Sequence, residues 1–216
     1  MRAWHALLTV ALVAACVAPE RATRPSPSPF EFKDAATLVL KDTHVPSGYR
    51  VRLERSLGAF EVGEALGGDT KFGAGASDVL IRDGLYASYG RFFEAETRSW
   101  RGVSSIVMLF RDRNGARSAI EDLRERLRAK GCPDVPIAET IGEASTACGG
   151  DVEIDTRTAG RVPVSVVLLY FSWANAVAYI GVADDADADT GQLAASLAAK
   201  QLAVLKSFGG EEMKIR

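Results

Sequence analysis

The chain is poor in the residues that most often carry out catalysis or bind metals. Its 216 residues include two histidines and three cysteines, with neither a Gly-x-Ser-x-Gly motif nor a P-loop. An excess of positive charge is also missing, because 26 Lys and Arg residues face 28 Asp and Glu residues. Without a basic cluster to bind phosphates, no nucleic-acid partner is predicted. No motif indicates a cofactor or an enzyme.

Long apolar runs are absent as well. A helix that spans a bilayer needs about 20 apolar residues, and the run over residues 6–15 has roughly half of that. This run follows the positive charge of Arg2 and ends in small residues, which is the pattern of a secretory signal. We therefore predict a signal peptide over residues 1–15 that is removed from the mature protein.

The end of this run carries a more specific pattern. Val13-Ala14-Ala15-Cys16 resembles the lipobox of bacterial lipoproteins, in which an aliphatic residue and small residues precede a cysteine. The resemblance implies cleavage before Cys16, lipid modification of its thiol, and a membrane partner reached through that lipid. Ordinary cleavage after Ala15 or Ala18 is the alternative, and Pro19 disfavours the second of these cuts.

Prolines concentrate directly after the predicted anchor. Half of the eight prolines lie in residues 19–29, PERATRPSPSP, which cannot bury a core and favour an extended conformation. We predict a lipid-anchored tether over residues 16–29, one domain over residues 30–210 and a C-terminal tail over residues 211–216. A domain of that length can bury a substantial core.

Two cysteines remain once Cys16 is assigned to the lipid. Outside the cytoplasm, Cys132 and Cys148 are expected to form a disulfide. The loop that they enclose is rich in Pro, Gly and small residues, and closing it contributes roughly 3 kcal/mol in the chain-entropy model. Two buried thiols are one alternative. A metal pair is another, although two ligands do not complete a tetrahedral site.

Apolar patterning predicts an α+β fold. The predicted strands cover residues 49–53, 80–96 with a turn at 82–84, 103–111, 152–156, 162–171 and 176–183. The predicted helices cover residues 34–40, 114–130 and 190–207, with Asn114 and Thr190 as caps of the long ones. Because strand, strand, helix occurs twice, we predict pseudo-repeated ββα units. They would form one antiparallel sheet of five to seven strands with two long helices packed on it.

Few polar residues stand out as candidates for chemistry. His44 lies beside a predicted turn, where a surface role is commoner than acid–base or zinc chemistry. Asp185, Asp187 and Asp189 repeat at the spacing of the first calcium ligands of an EF-hand, but the later ligand positions do not match. Acids before a helix also complement its N-terminal dipole. We therefore predict no metal site.

Trp173 is the aromatic residue that differs from the others. Most aromatic residues fall in predicted strands, where packing in the core is their usual role. Trp173 instead falls in the predicted turn over residues 172–175. An exposed indole there could contact a ligand, a protein partner or the membrane interface, so Trp173 is the predicted contact residue.

Several short motifs carry a family resemblance. Leu38-x-Leu40, Asp42 and Pro46-x-Gly48-Tyr49 resemble the opening segment of exported lipoproteins from high-GC bacteria. The order of strands and helices is similar to the PsbP and Mog1 α/β sandwich, a scaffold used largely for binding and assembly. The resemblance implies a non-enzymatic envelope module with an envelope protein or a small ligand as its partner. The alternative is a glycan hydrolase that uses carboxylates such as Glu94, Glu96 or Glu143.

Overall fold

The computed structural model describes residues 30–66, 77–98, 100–137, 139–156 and 160–211. Its strands are β1 (Tyr49–Ser56), β2 (Leu85–Ala95), β3 (Gly102–Phe110), β4 (Ala144–Thr156), β5 (Gly160–Trp173) and β6 (Ala176–Asp185). Its helices are α1 (Ala35–Leu38), α2 (Ala59–Ala65), α3 (Ser77–Arg82), α4 (Arg113–Ala129) and α5 (Thr190–Glu211). The predicted signal peptide, Cys16 and the tether lie outside the described residues.

The strands form one six-stranded antiparallel sheet in the order β1-β2-β3-β6-β5-β4. This confirms the predicted α+β class and an antiparallel sheet of five to seven strands. Strands β3 and β6 lie at the centre, and most of their side chains are buried on both faces. That double burial is why the two strands are apolar throughout instead of alternating.

Helices cover both faces of the sheet. Helix α4 packs on one face together with α2 and α3, through apolar residues that recur at helical spacing. Helix α5 and the short α1 pack on the other face. The two ββα segments thus place their long helices on opposite faces of the sheet. A twofold rotation about the axis perpendicular to the sheet would keep each helix on its own face, so it does not relate the two segments. The pseudo-repeat stays a prediction.

Side-chain hydrogen bonds fix the helix ends, and they correct two predicted caps. Asp112 caps α4 by accepting a hydrogen bond from the Gly115 amide at 2.9 Å, in place of the predicted Asn114. At α5 the cap is Asp189, which accepts from the Gln192 amide at 2.9 Å. The predicted cap Thr190 is buried, and its hydroxyl bonds instead to Ser165. A carboxylate suits both positions because the first amides of a helix lack acceptors.

Several predicted strand segments differ from the structure, and β4 begins at Ala144 instead of residue 152. Leu80 and Ile81, predicted to begin a strand, and Arg82, predicted in the turn, belong to helix α3, and the turn at Asp83 and Gly84 separates them from β2. In β1 the register shifts between Val51 and Leu53, so that Arg52 forms an extra residue. Because a bulge reverses the alternation, Leu53 is exposed although the pattern had placed it on the buried face.

The sheet has two ends, which we call the Phe30 end and the distal end. Phe30 lies against Asn175 in the β5–β6 turn, and the Tyr86 hydroxyl donates to its carbonyl oxygen at 2.6 Å. The distal end holds the β2–β3 turn, the start of β5 and the end of β6. The ten residues of β6 separate the two ends by about 30 Å, at about 3.3 Å per residue.

Candidate functional site

A slot opens at the distal end because β5 extends beyond the last residue of β6. Strand β5 begins at Gly160, but its pairing with β6 begins only at Val164, opposite Asp185. The β2–β3 turn borders the slot on the other side. A cavity of about 530 Å³ occupies this position.

Both apolar and charged side chains line this cavity, which we call the Trp100 cavity. Its lining residues are Arg98, Trp100, Val162, Pro163, Asp185, Ala186 and Asp187. The Trp100 Nε1 donates to Asp185 Oδ1 at 3.1 Å, so the polar edge of the indole is satisfied. Arg98 forms an ion pair with Asp185, and its guanidinium carbon lies 5.9 Å from the Trp100 ring centroid. The exposed part of the indole can therefore make apolar contacts.

A partly buried ion pair holds the β2–β3 turn against β6. Arg101 donates to Asp184 Oδ2 through Nη2 at 3.0 Å, and its Nε lies 2.5 Å from Asp184 Oδ1. This two-point contact fixes the direction of the guanidinium, and the Asp184 side chain is 7% exposed. Burial raises the pKa of the nearby Tyr49 hydroxyl, and the Asp184 carboxylate raises it further. The network positions Trp100 relative to Asp185.

A second cavity of about 290 Å³ lies between α4 and the segment that precedes β4. Arg124 Nη2 donates to the Ser145 carbonyl at 2.8 Å, and Arg128 pairs with Asp134 at 3.1 Å. Its two arginines thus already have partners within the fold. The Trp100 cavity is larger and offers an aromatic surface, so it is the stronger candidate site.

The structure pairs Cys132 with Cys148 in a disulfide. The bond joins the segment that follows α4 to strand β4, and both cysteines are buried. It confirms the pairing predicted for the two cysteines that remained after Cys16. The disulfide lies on the edge strand β4, between the two ends of the sheet, and does not line the Trp100 cavity.

Trp173 lies at the end of the sheet opposite to the Trp100 cavity. It is the last residue of β5, so the predicted turn narrows to Ala174 and Asn175. Its half-buried ring packs against the α5 face, with Lys206 Nζ 5.1 Å from the ring centroid. Contact with a ligand or partner stays a prediction for Trp173. Trp100 was not predicted as a site residue, and its distinguishing signal is its position between Arg98 and Arg101 in a turn.

The remaining polar candidates have structural partners. His44 Nδ1 accepts from the Lys41 amide at 3.1 Å, and burial, then Lys200 and Lys41, lower the pKa of this imidazole. Glu94 pairs with Arg52 at the distal end, whereas Glu143 pairs with Arg113 at the Phe30 end. These two acids therefore do not converge on one site.

Another pair of acids lies where α3 packs beside α4. Arg82 forms ion pairs with both Asp83 and Asp122. Burial raises the pKa of Asp83, and the neighbouring Asp122 carboxylate raises it further. Neither acid lines the Trp100 cavity or the second cavity.

The described residues contain no group of three or more His, Cys, Asp or Glu side chains placed to hold a metal ion. Of the three aspartates with calcium-like spacing, Asp185 pairs with Arg98 and Asp189 caps α5. Within the same part of the chain, no helix combines the length and apolarity needed to cross a membrane.

Comparison with known proteins shows a similar fold and no family. No family model matches the chain, and no curated protein matches it. A solved structure with a similar fold is the extracellular domain of PknH from Mycobacterium tuberculosis. The TM-score is 0.51 at 13% identity, and the match covers 82% of this chain and 98% of that chain. An extracytoplasmic location fits the disulfide.

Proposed function

We propose that the protein is a lipid-anchored, extracytoplasmic module of the bacterial envelope that binds a ligand without catalysing a reaction. The observation that carries the proposal is the Trp100 cavity at the end of the sheet opposite to Phe30. A tether over residues 16–29 would reach about 40 Å at about 3.1 Å per residue. It would join the domain at the Phe30 end, so the cavity would open away from the membrane.

The lining of the Trp100 cavity favours one class of small ligand. Trp100, Val162 and Pro163 provide apolar surface in this slot. The charges of Arg98 and Asp185 neutralise each other, and no described residue forms an ion pair with Asp187. The cavity therefore suits an apolar ring or chain that carries one positive charge. The hydrolase alternative has no comparable support, because Glu94 and Glu143 lie at opposite ends of the sheet and Glu96 is exposed.

The ligand class can be tested with three compounds that share one ring. Benzylamine, benzyl alcohol and benzoate differ in charge, and ligand-observed NMR measures their weak binding. We expect benzylamine to bind about threefold better than the alcohol through Asp187, and benzoate to bind worst. Trp100→Ala should weaken the binding of all three compounds by about tenfold, which is 1.4 kcal/mol.

Two matched variants serve as controls for that experiment. Asp187→Asn should abolish the preference for the amine and leave the affinity for the alcohol unchanged. Trp173→Phe, which alters the other indole of the described domain, should change none of the affinities. If Trp173→Phe weakened binding as much as Trp100→Ala, the ligand site would lie at the Phe30 end and this assignment would be wrong.

Lipid anchoring has a separate test at Cys16. Cells that express the full chain are grown with radioactive palmitate, and the protein is then isolated. The wild type should carry the label and partition with membranes, because only a lipidated thiol anchors it. Cys16→Ser should carry no label, whereas Cys148→Ser should be labelled like the wild type. Equal labelling of Cys16→Ser would contradict the anchor.

A further inference from the structure

Strand β4 is an edge of the sheet, and only its first part is covered. The Val135 amide donates to the Ala147 carbonyl at 3.0 Å, and the Gly149 amide donates to the Pro133 carbonyl at 2.9 Å. The disulfide at Cys132 and Cys148 holds this covering segment in place. Beyond Gly149 the strand continues to Thr156, paired on one side with β5.

The backbone direction of this second part follows from a proline on the neighbouring strand. Glu153 lies opposite Pro163, which has no amide proton, so the two residues cannot exchange a pair of hydrogen bonds. The backbone N–H and C=O of Glu153 therefore point away from β5. Because the backbone direction in a strand repeats every two residues, the backbone groups of Asp151 and Asp155 point outward too. Gly149, whose amide bonds outward to Pro133, follows the same repeat. No described backbone group bonds to these three residues on their outer side.

The side chains of this edge alternate between apolar and acidic. Val152 and Ile154 are half-buried and pack against the core on the α4 face, next to Val162. Asp151, Glu153 and Asp155 are exposed, and in a strand they share the opposite face. The three carboxylates therefore form a row with a repeat of about 7 Å.

We infer that residues 151–155 of β4 form a docking edge for an extended segment of a partner protein whose side chains alternate between basic and apolar. Backbone hydrogen bonds would add that segment to the sheet as a seventh strand. Its basic side chains would face the row of carboxylates, and its apolar side chains would extend the surface of Val152 and Ile154. This surface is distinct from the Trp100 cavity.

Charge disfavours the simplest competing occupant, a second copy of the same edge. Antiparallel pairing of two β4 strands would place acids opposite acids, and like charges directly opposite one another are destabilising. Within the described residues, Arg161 is the cation near this row, with its guanidinium 3.4 Å from Asp155 and 3.7 Å from Glu153. The edge therefore keeps an excess of negative charge that a basic segment would neutralise.

Capped peptides of alternating lysine and valine provide a direct test. In antiparallel pairing, the lysine amides face β4 and the valine amides face solvent. N-methylation of the lysine amides should weaken binding to the wild-type protein by about tenfold or more, measured by calorimetry. N-methylation of the valine amides keeps the charge and mass and should have little effect. Equal binding of the two methylated peptides, or no binding of the parent peptide, would overturn the inference.

Variants of the protein separate the contribution of the backbone hydrogen bond to binding from that of the charge. Glu153→Pro removes the outward amide proton and should weaken the binding of the parent peptide by about tenfold. Glu153→Gln removes only the charge, for which we expect a loss of about threefold. Glu121→Gln, at an exposed position on α4, should have no effect. A dimer of the wild-type protein that Glu153→Pro dissociates would overturn the inference in favour of a second copy.

Discussion

Replacing both cysteines of the disulfide, as Cys132→Ala with Cys148→Ala, is expected to lower the free energy of unfolding by about 3 kcal/mol. The bond closes a loop with a sequence separation of 16, and its removal enlarges the conformational freedom of the unfolded chain. The native state loses contacts as well, because both side chains are buried. Alanine avoids placing an unpaired hydroxyl in this core.

Urea denaturation of the variant and of the wild type, with and without reductant, measures this loss. The reduced wild type should unfold close to the double variant, because both lack the cross-link. A variant that loses less than about 1 kcal/mol would show that packing alone holds the loop. The covering segment at Pro133 and Val135 should also open more readily. Its effect is measurable as faster exchange of the Gly149 amide, which donates to Pro133.

The disulfide and the sheet show what the sequence could predict. Cys132 and Cys148 were the two cysteines left for an oxidising compartment, so their pairing followed from counting and chemistry. The apolar runs in β3, β5 and β6 identified the strands because each strand has its own local pattern. Such features depend on neighbours in the chain, and a sequence contains that information directly.

The Trp100 cavity shows why the candidate site could not be predicted in the same way. It exists because β6 ends at Asp185 while β5 starts four residues beyond their last pair, at Gly160. This difference in strand length becomes visible only when the order of the strands is known. The bulge at Arg52 is similar, since a shift of register against β2 exposed Leu53 without any change in composition. Non-local pairing decided both features.

The same reasoning explains why the prediction emphasised Trp173 instead of Trp100. A tryptophan in a predicted turn is a reasonable contact candidate. In the structure, β5 extends through Trp173, and its ring lies against α5 beside Lys206. Trp100 lies in the β2–β3 turn, and its surroundings come from β5 and β6, which are distant in sequence. A turn residue becomes a site residue when distant strands supply the rest of the cavity.

Replacing Asn175 with alanine is expected to destabilise the domain by about 3 kcal/mol and to loosen its junction with the preceding chain. The Asn175 side chain is buried, and its Oδ1 accepts from the Phe30 amide at 2.7 Å. Its Nδ2 donates to the carbonyl oxygens of Phe30 at 3.1 Å and of Phe110 at 2.9 Å. Alanine would remove all three hydrogen bonds, although the Phe30 carbonyl would keep the one from the Tyr86 hydroxyl, and lost hydrogen bonds to buried backbone groups are costly.

Asn175→Asp separates the loss of hydrogen bonds from the loss of volume. A carboxylate still accepts from the Phe30 amide, but it would face the carbonyl oxygens of Phe30 and Phe110. We expect this variant to be unstable at neutral pH and to recover part of its stability when acid protonates the new side chain. Asn114→Ala, at an exposed position of α4, should leave stability unchanged. Proteolysis near Phe30 should accelerate in both Asn175 variants. Unchanged cleavage with lowered stability would show that Asn175 supports the core without fixing the junction from which the proposed tether leaves the domain.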